Sequence, residues 1–263
     1  AFKNKEKDPN KYDLLYEFGR LVKDVEPDIV TMENVAQILS FKKKPVLQDF
    51  VELLKENEYQ VWVEPVYCPD YGVPQTRRRL VLLASKFGKI SLIPPTHTTD
   101  KYVTVKDIIG GLPKLKAGEM DKSDPLHRAK VLSPLNMKRI QNTYGGSWRD
   151  WPDELVLQCH KSEKGKTFGS VYGRMVWERP APTMTTQCTG LGNGRFGHPE
   201  QDRAISVREA ALIQTFPKTY KFFADEKDVA ITKASRYIGN AVPPRLGEVI
   251  AESILHHLNR IAE

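Results

Sequence analysis

The sequence is poor in cysteine. It has three, Cys68, Cys159 and Cys188, far apart and without a Cys-x-x-Cys pair. An odd, scattered set argues against a disulfide framework and a structural zinc site, and it fits a reducing compartment. Long hydrophobic runs are missing too: none approaches the ~20 residues a membrane helix needs. Ala1–Asn10 is polar and charged and has no signal-peptide core. No internal repeat is present, and the 17 Gly and 18 Pro follow no period, which removes collagen-like and low-complexity classes.

What remains is a chain of 263 residues, long enough to bury a real core. Its apolar residues fall in periodic runs, which argues against disorder. Lys and Arg number 40 against 33 Asp and Glu, a net charge of +7. That excess permits a polyanionic partner and is equally compatible with a solvated surface.

Periodicity predicts a helix over Tyr12–Val25, with Leu15, Phe18, Leu21, Val22 and Val25 among its apolar positions, ended by Glu26-Pro27. Asp28–Met32 reads as a short strand, Pro45–Tyr59 as a second amphipathic helix and Gln60–Tyr67 as a strand. Leu80–Ala84 is continuously apolar and suits a strand buried on both faces. This succession is an α/β layer pattern. From Pro94 to Glu178 the chain is rich in Pro, Gly, Lys and polar residues, the mark of a functional loop region or a separate small domain. Order returns at Ser206, an N-cap candidate with Glu209 three residues on. A last helix is predicted over Arg245–Ile261, with Leu246, Val249, Ile250, Ile254, Leu258 and Ile261 as its stripe.

Several segments could carry chemistry. Met32-Glu33-Asn34-Val35 follows a predicted strand, where α/β sheets place their ligand crevices. Glu33 there could hold or donate a proton, or be a plain loop acid. In Tyr71-Gly72-Val73-Pro74-Gln75-Thr76-Arg77-Arg78-Arg79, Arg77 and Arg79 should project from one face and Arg78 from the other. Two guanidinium forks suit phosphate or a base carbonyl; a polar strand edge is the plainer alternative. Arg179-Pro180-Ala181-Pro182-Thr183 is a rigid corner, since proline fixes φ twice. Gly239-Asn240-Ala241-Val242-Pro243-Pro244 precedes the last helix, either as a turn against a ligand or as a helix-entry loop.

No single segment decides the matter, but their order does. Glu-Asn-Val, Gln-x-Arg-x-Arg, a variable region, Arg-Pro-x-x-Thr and Gly-Asn-x-Val-Pro-Pro follow one another along the chain. The series strongly resembles the cytosine-C5 DNA methyltransferases over nearly the whole length. Gly145–Pro152, Gly194–Glu200, Arg208–Ala211 and Gln214–Pro217 fit the bacterial, restriction–modification branch. The resemblance implies a Rossmann-like α/β catalytic sheet with a small, irregular target-recognition region. It divides the chain into a partial catalytic domain (1–93), a recognition region (94–190) and a return to the catalytic domain (191–263).

In that family a cysteine attacks C6 of a flipped-out cytosine, C5 takes a methyl group from S-adenosylmethionine, and the C5 proton leaves. By resemblance, Glu33 would contact N3 and the exocyclic amine, and Asn34 would order the loop around it. Arg79 would stabilise the O2 side, and Arg77 would hold the nucleophile loop and a nearby phosphate. Asn240 and Val242, with Gly239, would line the methionine end of the cofactor, and Arg179–Thr183 would brace the recognition region. Arg149, Arg174, Lys164 and Lys166 are candidate contacts to duplex DNA, with solvated charge as the alternative for each. No metal and no membrane are implied, and the expected location is the bacterial cytoplasm, at the nucleoid when acting on DNA.

Two family features do not occur in these residues: the Phe-x-Gly-x-Gly cofactor turn and the Pro-Cys nucleophile loop. In relatives that loop runs into a stretch like Ala1–Lys7. The three cysteines sit elsewhere and are expected to be packed small residues. The expectation is therefore that these residues are not catalytically self-sufficient, and that an N-terminal segment or a complementary subunit completes them. The chain would then be a cut piece, the ordered part of a longer protein, or a split subunit. A DNA-binding specificity subunit is one alternative function, and a relative acting on tRNA is another.

Overall fold

A computed structural model describes residues 13–40, 45–144, 146–224 and 230–262. Tyr12, Gly145 and the Ala1–Asn10 stretch named above lie outside the described residues. The chain forms two compact units, one from Ala1–Tyr67, Arg78–Pro94 and Glu248–Glu263, the other from Cys68–Arg77 and Pro95–Gly247.

The first unit is built on helix α1 (Asp13–Val25), strand β1 (Ile29–Val35), helix α2 (Val46–Glu56) and strands β2 (Gln60–Tyr67) and β3 (Arg78–Ser85). The sheet order is β1-β3-β2, with β3 antiparallel to both neighbours. β1 and β2 therefore run the same way, joined by the α2 crossover that parallel strands require, with β3 inserted between them. Leu80–Ala84 is fully buried, as a strand covered on both faces should be. The period of two sorts its side chains. Leu82 and Ala84 meet Val22, Phe50 and Leu54 of the helices in one cluster, and Leu80 joins Ile38 and Leu47 in another. Ser85 bonds instead to His257 Nε2, at 2.8 Å.

Two predicted stripes shift. On α1, Leu15, Phe18 and Val22 pack inward, whereas Leu21 and Val25 are exposed. At 100° per residue Leu21 and Val25 fall on a neighbouring stripe with Leu14, which is exposed as well. The last helix, Pro244–Ala262, buries Leu246, Val249, Ile250, Ser253 and His257, while Leu258 and Ile261 are exposed. Two polar side chains take stripe positions because each has a partner. The Ile93 amide donates to Ser253 Oγ at 3.0 Å, and His257 meets Ser85. Burial, with the Arg260 charge, lowers the His257 pKa and favours its neutral ring.

The second unit is largely irregular. Its helices are α3 (Val105–Ile109), α4 (Pro134–Gln141), α5 (Glu163–Lys166), α6 (Val207–Ile213) and α7 (Ile231–Asn240), followed by the start of α8 (Pro244–Ala262). Its core gathers Val105, Ile109, Leu126, Met184, Phe196, Ile205, Ala210 and Ile238, among others. Ser206 and Glu209 form the predicted capping box on α6. Trp148, Trp151 and Leu155 form a satellite core, with the Trp148 ring stacked on His160 at 4.5 Å. Among the described residues, no helix is long and apolar enough to cross a membrane.

Candidate active site

Glu33 and Asn34 lie within β1 rather than after it, because that strand continues to Val35. The register pairs Glu33 with Val81 and Val35 with Arg79, so Glu33 and Arg79 are diagonal neighbours. Arg79 Nε lies 2.8 Å from Glu33 Oε1, with both side chains about 15% exposed (15% and 16%). Arg79 Nη1 also donates to the Arg78 carbonyl at 2.8 Å, which fixes the plane of its guanidinium. Asn34 Oδ1 accepts from the Val35 amide at 2.8 Å and stiffens the end of the strand. Arg78 is exposed and stacks over Tyr67, 4.7 Å from its ring centre. The result is a carboxylate and a guanidinium held together at the rim of a rigid sheet, where both can still meet solvent.

In the second unit, the remaining motifs are tied to one another. Ala181 pairs with Gln75 in a short parallel bridge. The Ala181 amide donates to the Pro74 carbonyl and the Thr76 amide to the Ala181 carbonyl, each at 2.8 Å. Thr183 Oγ1 donates to the Thr76 carbonyl at 2.9 Å. The proline corner thus braces the Gln-x-Arg segment directly. Arg77 is buried, and its Nη1 and Nη2 donate to the carbonyls of Met184 (3.1 Å) and Ala241 (3.3 Å).

Gly239 and Asn240 were expected in a turn before the last helix; they are the final residues of α7. A Cβ on Gly239 would lie 2.2–2.3 Å from backbone atoms of Thr185 and Thr186, so only glycine admits this approach. Asn240 is exposed and Val242 is 40% exposed, on either side of the clamped Ala241 peptide. An amide and an apolar side chain on a fixed backbone are chemically compatible with the polar amino-acid end and the apolar thioether of S-adenosylmethionine, the group the resemblance implies.

Two buried glutamines went unassigned in the sequence. Gln75 and Gln214 are fully buried, and Gln75 Nε2 donates to Gln214 Oε1 at 2.6 Å. The available signal was a polar residue inside an otherwise Val, Pro and Phe-flanked motif. Arg203 is a further interior side chain that no sequence motif marks. It is fully buried and grips Glu209 with two bonds of 2.7 Å. Burial alone would raise the Glu209 pKa; the Arg203 guanidinium outweighs it and holds the carboxyl below its ordinary value. Beside it, burial depresses the His198 pKa to about 4, so this ring is neutral.

The DNA-contact candidates separate. Arg174 is a structural side chain. Its three guanidinium nitrogens donate to the carbonyls of Thr143, His198, Gln201 and Ile140, and it pairs with Asp202. Arg149 and Lys166 are exposed but partnered, Arg149 to the Lys166 carbonyl at 2.9 Å and Lys166 to Glu163. Lys164 is exposed. Cys68 and Cys188 are buried, and burial pushes the Cys188 thiol up to about 12, far from a reactive thiolate. Cys159, expected to be packed, is exposed. Among the described residues, no group of three His, Cys, Asp or Glu could hold a metal ion.

A profile of the C-5 cytosine-specific DNA methylase family matches residues 1–256. The chain is 51% identical, over all of its length, to Type II methylase M.HgiDII of Herpetosiphon aurantiacus, and spans 74% of that protein. It is 32% identical to Type II methyltransferase M1.HphI of Haemophilus parahaemolyticus, with 94% of this chain aligned to 62% of that one. Its fold matches the crystal structure of a “putative DNA modification methyltransferase” encoded within an Escherichia coli prophage. The TM-score is 0.71 at 22% identity, over 96% of this chain and 76% of that one. With a family profile that takes in nearly every residue, the chain belongs to the C-5 cytosine-specific DNA methylases.

Proposed function

We propose that this chain carries the base-binding and cofactor-binding residues of a DNA cytosine-C5 methyltransferase of the restriction–modification type. The observation that carries the reading is the Glu33–Arg79 pair at 2.8 Å on neighbouring strands. A carboxyl group there holds a proton at N3 of a flipped cytosine and accepts from its exocyclic amine. The Arg79 donors beyond those engaged by Glu33 and Arg78 serve the O2 side, where negative charge develops. Asn34 keeps the strand end in register, and Arg77 acts as an interior brace. Asn240 and Val242 hold the methionine end of S-adenosylmethionine, which supplies an electrophilic methyl group when bound. Duplex DNA is the proposed substrate, with Arg149, Lys164 and Lys166 at its phosphates and residues 94–190 as the reading region. The nucleophile is assigned to no cysteine of this chain, so a further segment or subunit supplies it. The protein acts in the cytoplasm, at the nucleoid.

The test is covalent trapping of the full-length protein on duplex DNA carrying 5-fluorocytosine, with S-adenosylmethionine present. Wild type should form the complex and Glu33→Gln should form far less. Equal trapping would remove Glu33 from the reaction. A competition with tRNA separates the DNA reading from the tRNA alternative.

A further inference from the structure

The geometry points to Gln214 as a positioning residue for the cofactor segment, with Gln75 setting its orientation. This rests on the reading of Asn240 and Val242 as cofactor-binding residues. The Met184 amide donates to Gln75 Oε1 at 3.0 Å. Gln75 Nε2 donates to Gln214 Oε1 at 2.6 Å and to the Ile213 carbonyl at 3.1 Å. Gln214 Nε2 donates to the Ala241 carbonyl at 2.6 Å. The polarity of this relay has one solution. Turning the Gln75 amide over would set its NH2 against the Met184 N–H, and turning Gln214 would set its oxygen against the Ala241 carbonyl.

The relay is one arm of a closed ring. Arg77 spans the same two anchors, donating to the Met184 and Ala241 carbonyls. The Ala241 carbonyl is thus gripped from two sides, by a neutral amide and by a guanidinium, and it belongs to the Ala241–Val242 peptide, one residue after Asn240. Both glutamines are fully buried, so water cannot replace a lost donor. Fixing that carbonyl orients the peptide that carries Val242, while the Ala241 amide, bonded back to the Tyr237 carbonyl, ties the same residue to the end of α7 that carries Asn240. Gln214 itself touches no reacting atom; it acts through the backbone it holds.

Gln214→Glu is nearly the same shape but sets a carboxylate oxygen against the Ala241 carbonyl. In the full-length protein it should weaken S-adenosylmethionine binding and raise its KM about tenfold or more. The kcat at saturating cofactor, and the affinity for duplex DNA, should stay within about twofold. Gln75→Met leaves Gln214 in place but removes what orients it, and should raise KM about threefold. It carries the test if Gln214→Glu does not fold. As a control, Thr189→Val, which breaks the buried Thr189–Ser235 bond of 2.7 Å, should lower Tm without moving KM. A folded Gln214→Glu or Gln75→Met protein with wild-type cofactor KM overturns the positioning role alone. A wild-type protein that binds no S-adenosylmethionine overturns the functional reading beneath it.

Discussion

Glu33 and Arg79 face each other diagonally across β1 and β3, 2.8 Å apart, with the strand register fixing their spacing. Both side chains are mostly buried, so desolvation offsets much of their attraction and the net contribution of the pair to stability is small, about 1 kcal/mol. On the proposed function its chemical value would be greater, because a fixed donor and a fixed carboxylate would need no reorganisation when a base binds. In the full-length protein, Glu33→Gln should lower single-turnover methyl transfer by about 10²–10⁴-fold, the range for a lost acid or base. Tm should fall only moderately, because Gln keeps the shape of Glu33 and one acceptor oxygen for Arg79. A large loss of Tm with unchanged chemistry would make the pair a structural strut instead.

The pH dependence of stability should carry the mark of His198. Unfolded, the ring titrates near its ordinary 6.5; folded, burial has lowered it to about 4. Above 6.5 both states are neutral and the full stability is present. As pH falls the unfolded state takes up the proton first, so stability is lost between about 6.5 and 4. The loss is on the order of 3 kcal/mol for a shift of this size. The group that accepts from the Glu200 and Gln201 amides is His198 Nδ1, at 3.1 and 3.0 Å, a role Asn can imitate without titrating. Urea unfolding from pH 7 to 4 should therefore show a flatter slope in His198→Asn than in wild type. Identical slopes would assign the dependence to other groups.

Much of the architecture was legible because it rests on periodicity. The buried run Leu80–Ala84, the face of α2 and the Ser206–Glu209 box are local patterns with one physical solution each. What could not be read depends on partners distant in sequence. A net charge counts Arg174 and Arg203 like Lys164, yet the first two spend their donors inside the protein. Gln75 and Gln214 looked like motif lettering until folding brought them to 2.6 Å. Gly239 and Asn240 suggested a turn by composition, but α7 extends over them, and the glycine serves a close approach to the Thr185 backbone instead. The order of the motifs carried the family, and the geometry separates those that face solvent from those that brace.

Two helical glycines should respond in opposite directions. Gly239→Ala places a methyl group 2.2–2.3 Å from the Thr185 and Thr186 backbone, which cannot swing aside as a side chain can. It should cost about 1–3 kcal/mol or more and, if Asn240 holds the cofactor as proposed, weaken cofactor binding as well. Gly247 lies in α8, is exposed and has nothing within 4 Å of an added Cβ. Gly247→Ala should stabilise by about 0.5–1 kcal/mol through helix propensity and a less free unfolded chain. Thermal melts of the two variants check both signs. A neutral Gly239→Ala would mean that the α7 end is free to shift.

Lys164 and Arg174 carry the same formal charge and should behave differently on DNA. Lys164 is exposed, so a phosphate contact there would release about one counterion. Lys164→Ala should make the slope of log K against log salt shallower by about 1, leave Tm in place and weaken binding alike on all sequences. Arg174 is 12% exposed and holds four carbonyls and Asp202. Arg174→Ala strands those acceptors and should cost about 3 kcal/mol in stability. At a temperature where that variant is still folded, its salt slope should equal that of wild type, because a guanidinium spent on carbonyls releases no counterion from DNA. If Arg174→Ala flattens the slope while Lys164→Ala does not, the internal bonds of Arg174 must open on the duplex, and the assignment of these two charges is reversed.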